Sequence, residues 1–187
     1  MKKLSIFASG GGSNAEKIFE YFQGNKEVKI DTVIVSNKNA GILQKCKDWG
    51  CEIIVLNKET FYNSNEIVDL LKSRETDLII LAGFLWLVPD NLVAAFPNTI
   101  VNIHPALLPK FGGKGMYGMN VHKAVAAAKE KESGITIHYI NNEYDKGDVI
   151  FQTSCKVENL SAEEIAKEVL KLEHQNFPKV IEQILTQ

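Results

Sequence analysis

The sequence predicts an α/β fold: a doubly wound, mostly parallel sheet of about seven strands, with helices on both faces and an antiparallel C-terminal extension. Short apolar runs, such as residues 4–8 and 78–82, alternate with segments of helical periodicity. The run 78–82 is apolar throughout, as a strand covered on both faces requires. Residues 135–140 and 149–157 are two further predicted strands without a helix between them, which predicts the antiparallel extension.

The composition limits the classes of partner. The 187 residues include 21 basic and 23 acidic side chains, a formal net charge of -2. We therefore expect small-molecule partners, with no nucleic acid and no membrane. The cysteines Cys46, Cys51 and Cys155 are odd in number and form no C-x-x-C pair, which predicts a reducing, cytoplasmic location. We expect one domain over residues 1–187, with halves 1–97 and 98–187, as a monomer or weak homodimer.

The first βα connection is rich in glycine. The strand 4–8 leads into residues 9–14, and the helical spacing of apolar residues begins at Ala15. This arrangement favours anion binding, because small residues let a ligand reach the free amide N–H groups and the helix dipole favours negative charge. A phosphate or carboxylate site is predicted here, although any tight βα turn can use glycine.

The same turn also matches the dinucleotide pattern G-x-G-x-x-A at Gly10, Gly12 and Ala15. That pattern expects an acidic residue at the end of the next strand. The strand 30–35 is followed instead by two polar residues and Lys38. NAD is therefore disfavoured, NADP stays open through Lys38, and a single phosphate suits the turn better.

The middle of the chain continues the alternation. It predicts a helix over residues 40–49, a strand 52–56, a polar loop 57–63, a helix capped by Asn63 or Ser64, and a strand 78–82. Beyond that last strand follow the apolar residues Leu85, Trp86, Leu87 and Val88. They either line a pocket for a flat ring or pack under the short helix that Pro89 begins.

Asn102 and His104 stand at the carboxyl end of another predicted strand. Residues 99–103 form a buried apolar run, and Pro105 cannot continue a central strand, so the strand ends at His104. Two positions apart, both side chains project to the same side, at the edge where α/β sheets bind ligands. From these residues alone, a polar cap on the strand is the simpler interpretation.

The C-terminal third adds a loop, a helix and the hairpin. Residues 112–119 contain four glycines and form either a mobile loop over the site or a solvated connection. The next helix is expected to place His122 at the surface. The hairpin link 141–148 contains the carboxylates Asp145 and Asp148, of which we expect Asp148 to be a solvated turn residue.

Three further features complete the chain. Ser161 and Glu164 predict a capping box for the last helix, and we expect Pro178 to kink that helix. His138 is expected to pack behind the site rather than to act in it. The four histidines show no metal-ligand spacing, so no metal is predicted.

Together these motifs resemble the glycinamide ribonucleotide formyltransferase family, within the folate-dependent formyl transferases. The matching pieces are Gly12-Ser13-Asn14, Leu81-Ala82-Gly83-Phe84, Asn102-Ile103-His104-Pro105, Leu107-Leu108-Pro109, His138, Asp145-x-Gly147 and Glu173-His174. They keep the family's order over nearly the whole chain. The Asn-x-His-Pro-x-x-Leu-Pro motif is typical of the wider group, and the Gly-Ser-Asn turn is typical of the glycinamide ribonucleotide branch.

The resemblance implies formyl transfer from 10-formyltetrahydrofolate, a co-substrate, to the amine of 5-phosphoribosylglycinamide in purine biosynthesis. The implied catalytic residues are Asn102, His104 and Asp145. The implied phosphoribosylglycinamide site, mainly in the half 1–97, is Gly11, Gly12, Ser13, Asn14 and Glu173. The implied folate site is Lys58, Leu85, Trp86, Leu87, Val88, Asn102, Asn141 and Tyr144. Without the resemblance, Glu173 and His174 would be interpreted as surface residues.

The folate side departs from the family in two places. Trp86 occupies a position that is basic in some relatives, and residues 112–119 are richer in glycine than the usual loop.

The chemistry of such a transfer can be reasoned from the reacting groups. A neutral amine attacks the formyl carbon, negative charge develops on the formyl oxygen, and the departing nitrogen must gain a proton. Asn102 offers a neutral hydrogen-bond donor for that oxygen, and His104 offers the proton. A carboxylate near His104 would favour its charged form, and Asp145 is the candidate.

Several other functions stay open at this point. A formyltetrahydrofolate deformylase would use the same residues with water as the nucleophile, but the phosphate turn argues against it. A methionyl-tRNA formyltransferase would need a basic nucleic-acid surface, and an NADP-dependent redox enzyme rests on the G-x-G-x-x-A match alone. A non-catalytic nucleotide-binding module is the remaining class, because fold does not imply function.

Overall fold

The structure is a computed structural model that describes residues 1–186. Within these residues the strands are β1 (Lys2–Ala8), β2 (Val28–Val35), β3 (Glu52–Val55), β4 (Leu78–Leu81), β5 (Ile100–His104), β6 (Glu132–Tyr139) and β7 (Val149–Lys156). The described helices are α1 (Ser13–Phe22), α2 (Ile42–Lys45), α3 (Lys58–Asn63), α4 (Glu66–Ser73), α5 (Asp90–Ala95), α6 (Met119–Ala127) and α7 (Ala162–Leu185), with a 3-10 helix at Cys46–Asp48.

The described strands form one sheet in the order β3-β2-β1-β4-β5-β6-β7. The pairs β1/β2, β1/β4 and β2/β3 are parallel, whereas β6 and β7 are antiparallel. This topology confirms the predicted doubly wound sheet with an antiparallel C-terminal extension. Within residues 1–186 no helix combines the length and the apolar character that crossing a bilayer requires.

The chain divides into two compact units, Met1–Val101 and a second unit that begins at Asn102, so the boundary falls inside β5. In the first unit, β1 is buried from Leu4 to Ala8, as a strand covered on both faces must be. In the second unit, β6 is buried from Ser133 to His138, whereas burial alternates along β7. The single-domain organisation and the division at 97/98 remain predictions.

The prediction of a polar loop over residues 57–63 is wrong, because residues 58–63 form α3 and Asn57 is its N-cap. Asn57 caps the helix: its side-chain oxygen accepts from the backbone N–H groups of Glu59 at 2.8 Å and Thr60 at 3.4 Å. Phe61, which is 2% exposed, anchors the helix to the core. A capping residue followed by one buried aromatic residue is sufficient for a single short helix.

Two helix boundaries also differ from expectation. The predicted helix 40–49 consists of α2 followed by the 3-10 helix, and it ends as expected at Gly50, whose φ is +68°. The N-cap of α4 is Asn65 rather than Asn63 or Ser64, although the Ser64 hydroxyl does accept from the Glu66 N–H at 3.3 Å.

The last helix follows the prediction at its start. The Glu164 N–H donates to the Ser161 hydroxyl at 3.3 Å, and the Ser161 N–H donates to the Glu164 carboxylate at 2.8 Å, which is the predicted capping box. The helix then continues through Pro178 as a single element. Its buried face includes Val169 and Phe177 and packs against α6 and β6.

Candidate active site

The second unit holds a polar cluster at the carboxyl end of β5. Asn102 is half-buried and His104 is buried, with 3% of its surface exposed. The loop after His104 is tied to the hairpin by Thr136, whose hydroxyl donates to the Ala106 carbonyl at 2.7 Å and accepts from the Leu108 N–H at 3.0 Å. This tie fixes the backbone that follows the imidazole.

Gln152 on β7 completes the tie. Its Nε2 donates to the Thr136 hydroxyl at 2.8 Å and to the Leu108 carbonyl at 3.1 Å. One donated and two accepted hydrogen bonds use the full capacity of the Thr136 hydroxyl. Sequence reasoning missed both residues, and the available signal was a threonine within an apolar strand that is buried on both faces.

His104 uses its two ring nitrogens differently. Nε2 lies 2.8 Å from the Phe111 carbonyl oxygen, which only accepts, so Nε2 carries a hydrogen and donates it. Nδ1 lies 3.6 Å from Oδ1 of Asp145. Phe111 has a φ of 56°, in the left-handed region that a side chain disfavours, so the carbonyl that orients His104 comes from strained backbone.

Asp145 faces the cluster from the hairpin link. Its Oδ2 accepts from the Gly113 N–H at 2.8 Å, and its side chain is 13% exposed. Its φ is 54°, the second strained backbone in the cluster. Gly112 permits the close approach, because a Cβ there would lie 2.6 Å from Leu108 Cδ2 and 3.2 Å from the Asp145 Cβ. The structure therefore brings Asp145 beside His104.

His138 connects the other predicted residues. Its fully buried ring has Nε2 at 3.2 Å from Nδ2 of Asn102 and 3.7 Å from Oδ1 of Asp145. Burial lowers the pKa of His138. Its position near the carboxyl end of β6 thus places His138 in contact with Asn102, and the predicted trio Asn102, His104 and Asp145 lies around it.

The prediction that His122 lies at the surface is wrong. The residue is 7% exposed on the buried face of α6. Burial, together with repulsion from His104, lowers its pKa. Among the described residues its Nδ1 has no hydrogen-bond partner.

The first unit contains the glycine turn. Gly12 is the N-cap of α1 with a φ of 71°, and it leaves the first-turn N–H groups without a side-chain cap. A Cβ at Gly12 would lie 2.5 Å from the Cβ of Ile42, and Ile42 also donates its N–H to the Gly10 carbonyl at 3.2 Å. Gly11 is exposed, Ser13 is half-buried and Asn14 is buried. The turn therefore presents backbone amides at a helix start, as anion binding requires.

Exposure to solvent alternates along the run Leu85 to Val88. Leu85 is 52% and Leu87 is 38% exposed, so both are available to a ligand. Val88 is buried, and Trp86 packs against Phe61 with ring centroids 5.7 Å apart. Alternate residues of the run are therefore exposed or packed, and a role of this run in lining a ligand pocket remains a prediction.

Lys58, a predicted folate-binding residue, is the first residue of α3 and lies beside this run. The Nζ atom of Lys58 lies 5.8 Å from the centroid of the Trp86 ring, within the range of a cation–π contact.

The other predicted residues lie on the hairpin link and on α7. The Asn141 amide is used within the link, because its Oδ1 accepts from the Glu143 N–H and its Nδ2 donates to the Lys146 carbonyl. Tyr144 is 44% exposed. Glu173 is buried on α7, which corrects its interpretation as a surface residue. Residues 1–186 contain no group of three or more His, Cys, Asp or Glu side chains arranged to hold a metal ion.

Comparison with known proteins identifies relatives over nearly the whole chain. The formyl transferase family matches residues 2–181. The phosphoribosylglycinamide formyltransferase of Bacillus subtilis is 32% identical over 191 residues, which cover 99% of this chain and 95% of the relative. The chloroplastic phosphoribosylglycinamide formyltransferase of Arabidopsis thaliana is 42% identical over 187 residues, which cover 96% of this chain but 64% of the relative.

The chain thus spans less than two thirds of the length of that plant relative. Among solved structures, the phosphoribosylglycinamide formyltransferase from Bacillus halodurans is similar with a TM-score of 0.88 at 30% identity, covering 100% of this chain and 96% of that one.

Proposed function

The chain belongs to the formyl transferase family, and from this premise we propose that it transfers the formyl group of 10-formyltetrahydrofolate to the amine of 5-phosphoribosylglycinamide in purine biosynthesis. The observation that carries the proposal is the cluster of Asn102, His104 and Asp145 at the end of β5. These groups supply a neutral hydrogen-bond donor, a proton donor and a counter-charge, which an amine attacking a formamide-like carbon needs.

His104 is proposed to deliver the proton from Nδ1. Its Nε2 hydrogen is used by the Phe111 carbonyl, and Nδ1 faces Asp145. As the new N–C bond forms, Asn102 donates to the formyl oxygen and His104 protonates the departing N10, whose bond to the formyl carbon breaks. The attacking nitrogen finally loses one proton, which restores the charged His104. Asp145, whose Oδ1 lies 3.6 Å from Nδ1, is the counter-charge for the imidazolium before it gives up its proton and after it regains one.

Each substrate is proposed to use separate groups. The turn of Gly11, Gly12, Ser13 and Asn14 would bind the phosphate through backbone amides, and Glu173 would bind the amine or ribose end. The exposed Leu85 and Leu87 would contact the folate ring, with Trp86 and Val88 supporting them and Asn102, Asn141 and Tyr144 contributing. Lys58, already close to an aromatic face, would contact the folate tail.

We also propose the partners, the cellular compartment and the oligomeric state of the protein. Small-molecule substrates and a net charge of -2 favour a protein that binds neither nucleic acid nor membrane. The described structure has three free cysteines, which suit a reducing compartment such as the cytoplasm. We expect a monomer or weak homodimer, to be measured by sedimentation, and a Rossmann-like mode of phosphate binding without a metal.

A spectrophotometric assay tests the proposed reaction. Purified protein is incubated with 10-formyltetrahydrofolate, once with 5-phosphoribosylglycinamide and once without any amine. Loss of the formyl donor only in the presence of the amine is the expected result. Loss without the amine would indicate a deformylase instead, and no loss under either condition would indicate a non-catalytic binding module.

A further inference from the structure

His138 has no step of its own in the proposed chemistry, yet its surroundings restrict it strongly. The ring is fully buried, with 0% of its side chain exposed. Nδ1 lies 2.9 Å from the carbonyl oxygen of Tyr139, and Nε2 lies 3.2 Å from Nδ2 of Asn102. The imidazole therefore joins a backbone carbonyl to the amide that is proposed to face the formyl oxygen.

The carbonyl determines which ring nitrogen carries the hydrogen. A carbonyl oxygen only accepts, so Nδ1 of His138 must be the donor. A neutral imidazole has a single N–H group, so Nε2 is then an acceptor. Among the groups of Asn102, only the NH2 end can donate to that acceptor.

The flipped amide would be disfavoured. Oδ1 of Asn102 would then face Nε2 of His138, and two acceptors would meet unless His138 gained a second proton. Burial, which is the largest influence, lowers the pKa of His138 and opposes that proton, although Asp145 at 3.7 Å acts in the other direction. One of the two Asn102 N–H bonds is thus committed to His138, and the other is left for a ligand.

We propose that His138, restricted to its Nδ1–H tautomer by the Tyr139 carbonyl, is a positioning residue that fixes the orientation of the Asn102 amide and so aims the second N–H bond at the formyl oxygen. His138 acts through Asn102 and does not touch the reacting atoms. The inference rests on the proposed function for its catalytic consequence, but the tautomer itself can be tested without any activity.

The first experiment measures the tautomer. In protein with 15N-labelled histidine, long-range 1H–15N spectra at neutral pH distinguish a protonated from an unprotonated ring nitrogen. The His138 signals are assigned by their loss in His138→Gln. A protonated Nδ1 with an unprotonated Nε2 is expected. A protonated Nε2, in either the other neutral tautomer or the charged ring, would overturn the proposal, because Asn102 could not then donate to it.

The second experiment measures the consequence for turnover. His138→Asn keeps a polar group near the Nδ1 position but removes the acceptor for Asn102, so kcat should fall at least about tenfold while both KM values stay near those of the parent. His138→Gln retains an acceptor at the Nε2 position and should recover most of kcat. Ser133→Ala, another buried polar residue of β6 whose hydroxyl has no hydrogen-bond partner in the described residues, is the matched control.

Equal losses of kcat in the two His138 variants, or a change confined to KM, would contradict the positioning role. If the parent protein transfers no formyl group, the proposed function fails, whereas the spectra still decide the tautomer.

Discussion

The two units assemble their candidate site residues in different ways. In the first unit, the glycine turn and the run Leu85 to Val88 consist of neighbours in sequence, and they offer backbone amides and exposed apolar side chains. In the second unit, the cluster depends on contacts between distant residues, such as His104 with Asp145 and Asn102 with His138. The proposed binding groups of the first unit are therefore local in sequence, whereas the proposed catalytic groups need a folded unit around them.

The second unit also contains the strained backbone of the cluster. Phe111 and Asp145 both adopt positive φ angles, and each such residue costs about 1–3 kcal/mol. The hydrogen bonds that these two residues make to His104 and Gly113 offset that cost locally. Substitutions in this cluster should therefore affect turnover, and substitutions in the glycine turn of the first unit should affect substrate binding.

The largest expected effect is that of His104→Gln. The glutamine amide can still donate to the Phe111 carbonyl, but it cannot supply a proton to the leaving nitrogen. We expect kcat to fall by about 10²–10³-fold, with both KM values nearly unchanged, in steady-state formyl-transfer kinetics. A comparable fall for Lys110→Gln, an exposed side chain of the same unit, would show that the loss is not specific to proton transfer.

The next effect tests the tie between the His104 loop and the hairpin. Thr136→Val keeps the shape of the side chain but leaves the Leu108 N–H and the Ala106 carbonyl without their partner. The free energy of unfolding in urea should fall by about 2 kcal/mol, and kcat should fall with it. Thr136→Ser retains the hydroxyl and should recover both. Full activity and stability in Thr136→Val would show that Gln152 alone is sufficient to hold the loop.

Sequence reasoning predicted the parts whose signals are local. The end of β5 at His104 follows from Pro105, and the capping box follows from the spacing of Ser161 and Glu164. The burial of His122 could not be predicted in the same way, because it depends on which elements pack against α6. The roles of Thr136 and Gln152 likewise depend on partners elsewhere in the fold.

A smaller effect is expected for Gly12→Ala in the first unit. Alanine at a φ of 71° is strained, and its Cβ would crowd Ile42 and displace the start of α1. The apparent KM for 5-phosphoribosylglycinamide should rise about tenfold, as a loss of about 1.4 kcal/mol in binding implies, while kcat and the KM for the folate stay the same. Gly24→Ala is the matched control, because Gly24 has a φ of 78° but no neighbouring atom within 4 Å of an added Cβ. An equal rise in both KM values would contradict phosphate binding at this turn.

The smallest effect distinguishes the units by their response to acid. All four histidines follow residue 101 in the sequence. Burial lowers the pKa of His122 and of His138 below the value of about 6.5 expected for unfolded chains. The unfolded chain then binds more protons than the folded one, so the stability that these histidines contribute is complete above about pH 6.5 and decreases as the pH falls below it.

The first unit should lose stability in a lower pH range. Burial raises the pKa of Asp31, but hydrogen bonds from Arg74 and Lys29 outweigh burial and lower it overall. The stability from Asp31 is therefore present above about pH 4 and is lost only as the pH falls below that value. Hydrogen exchange read peptide by peptide, corrected for the intrinsic pH dependence, should show faster opening between about pH 7 and pH 5 in the second unit alone. His122→Gln should reduce that change. An equal change in both units would mean that the buried histidines do not set the acid response.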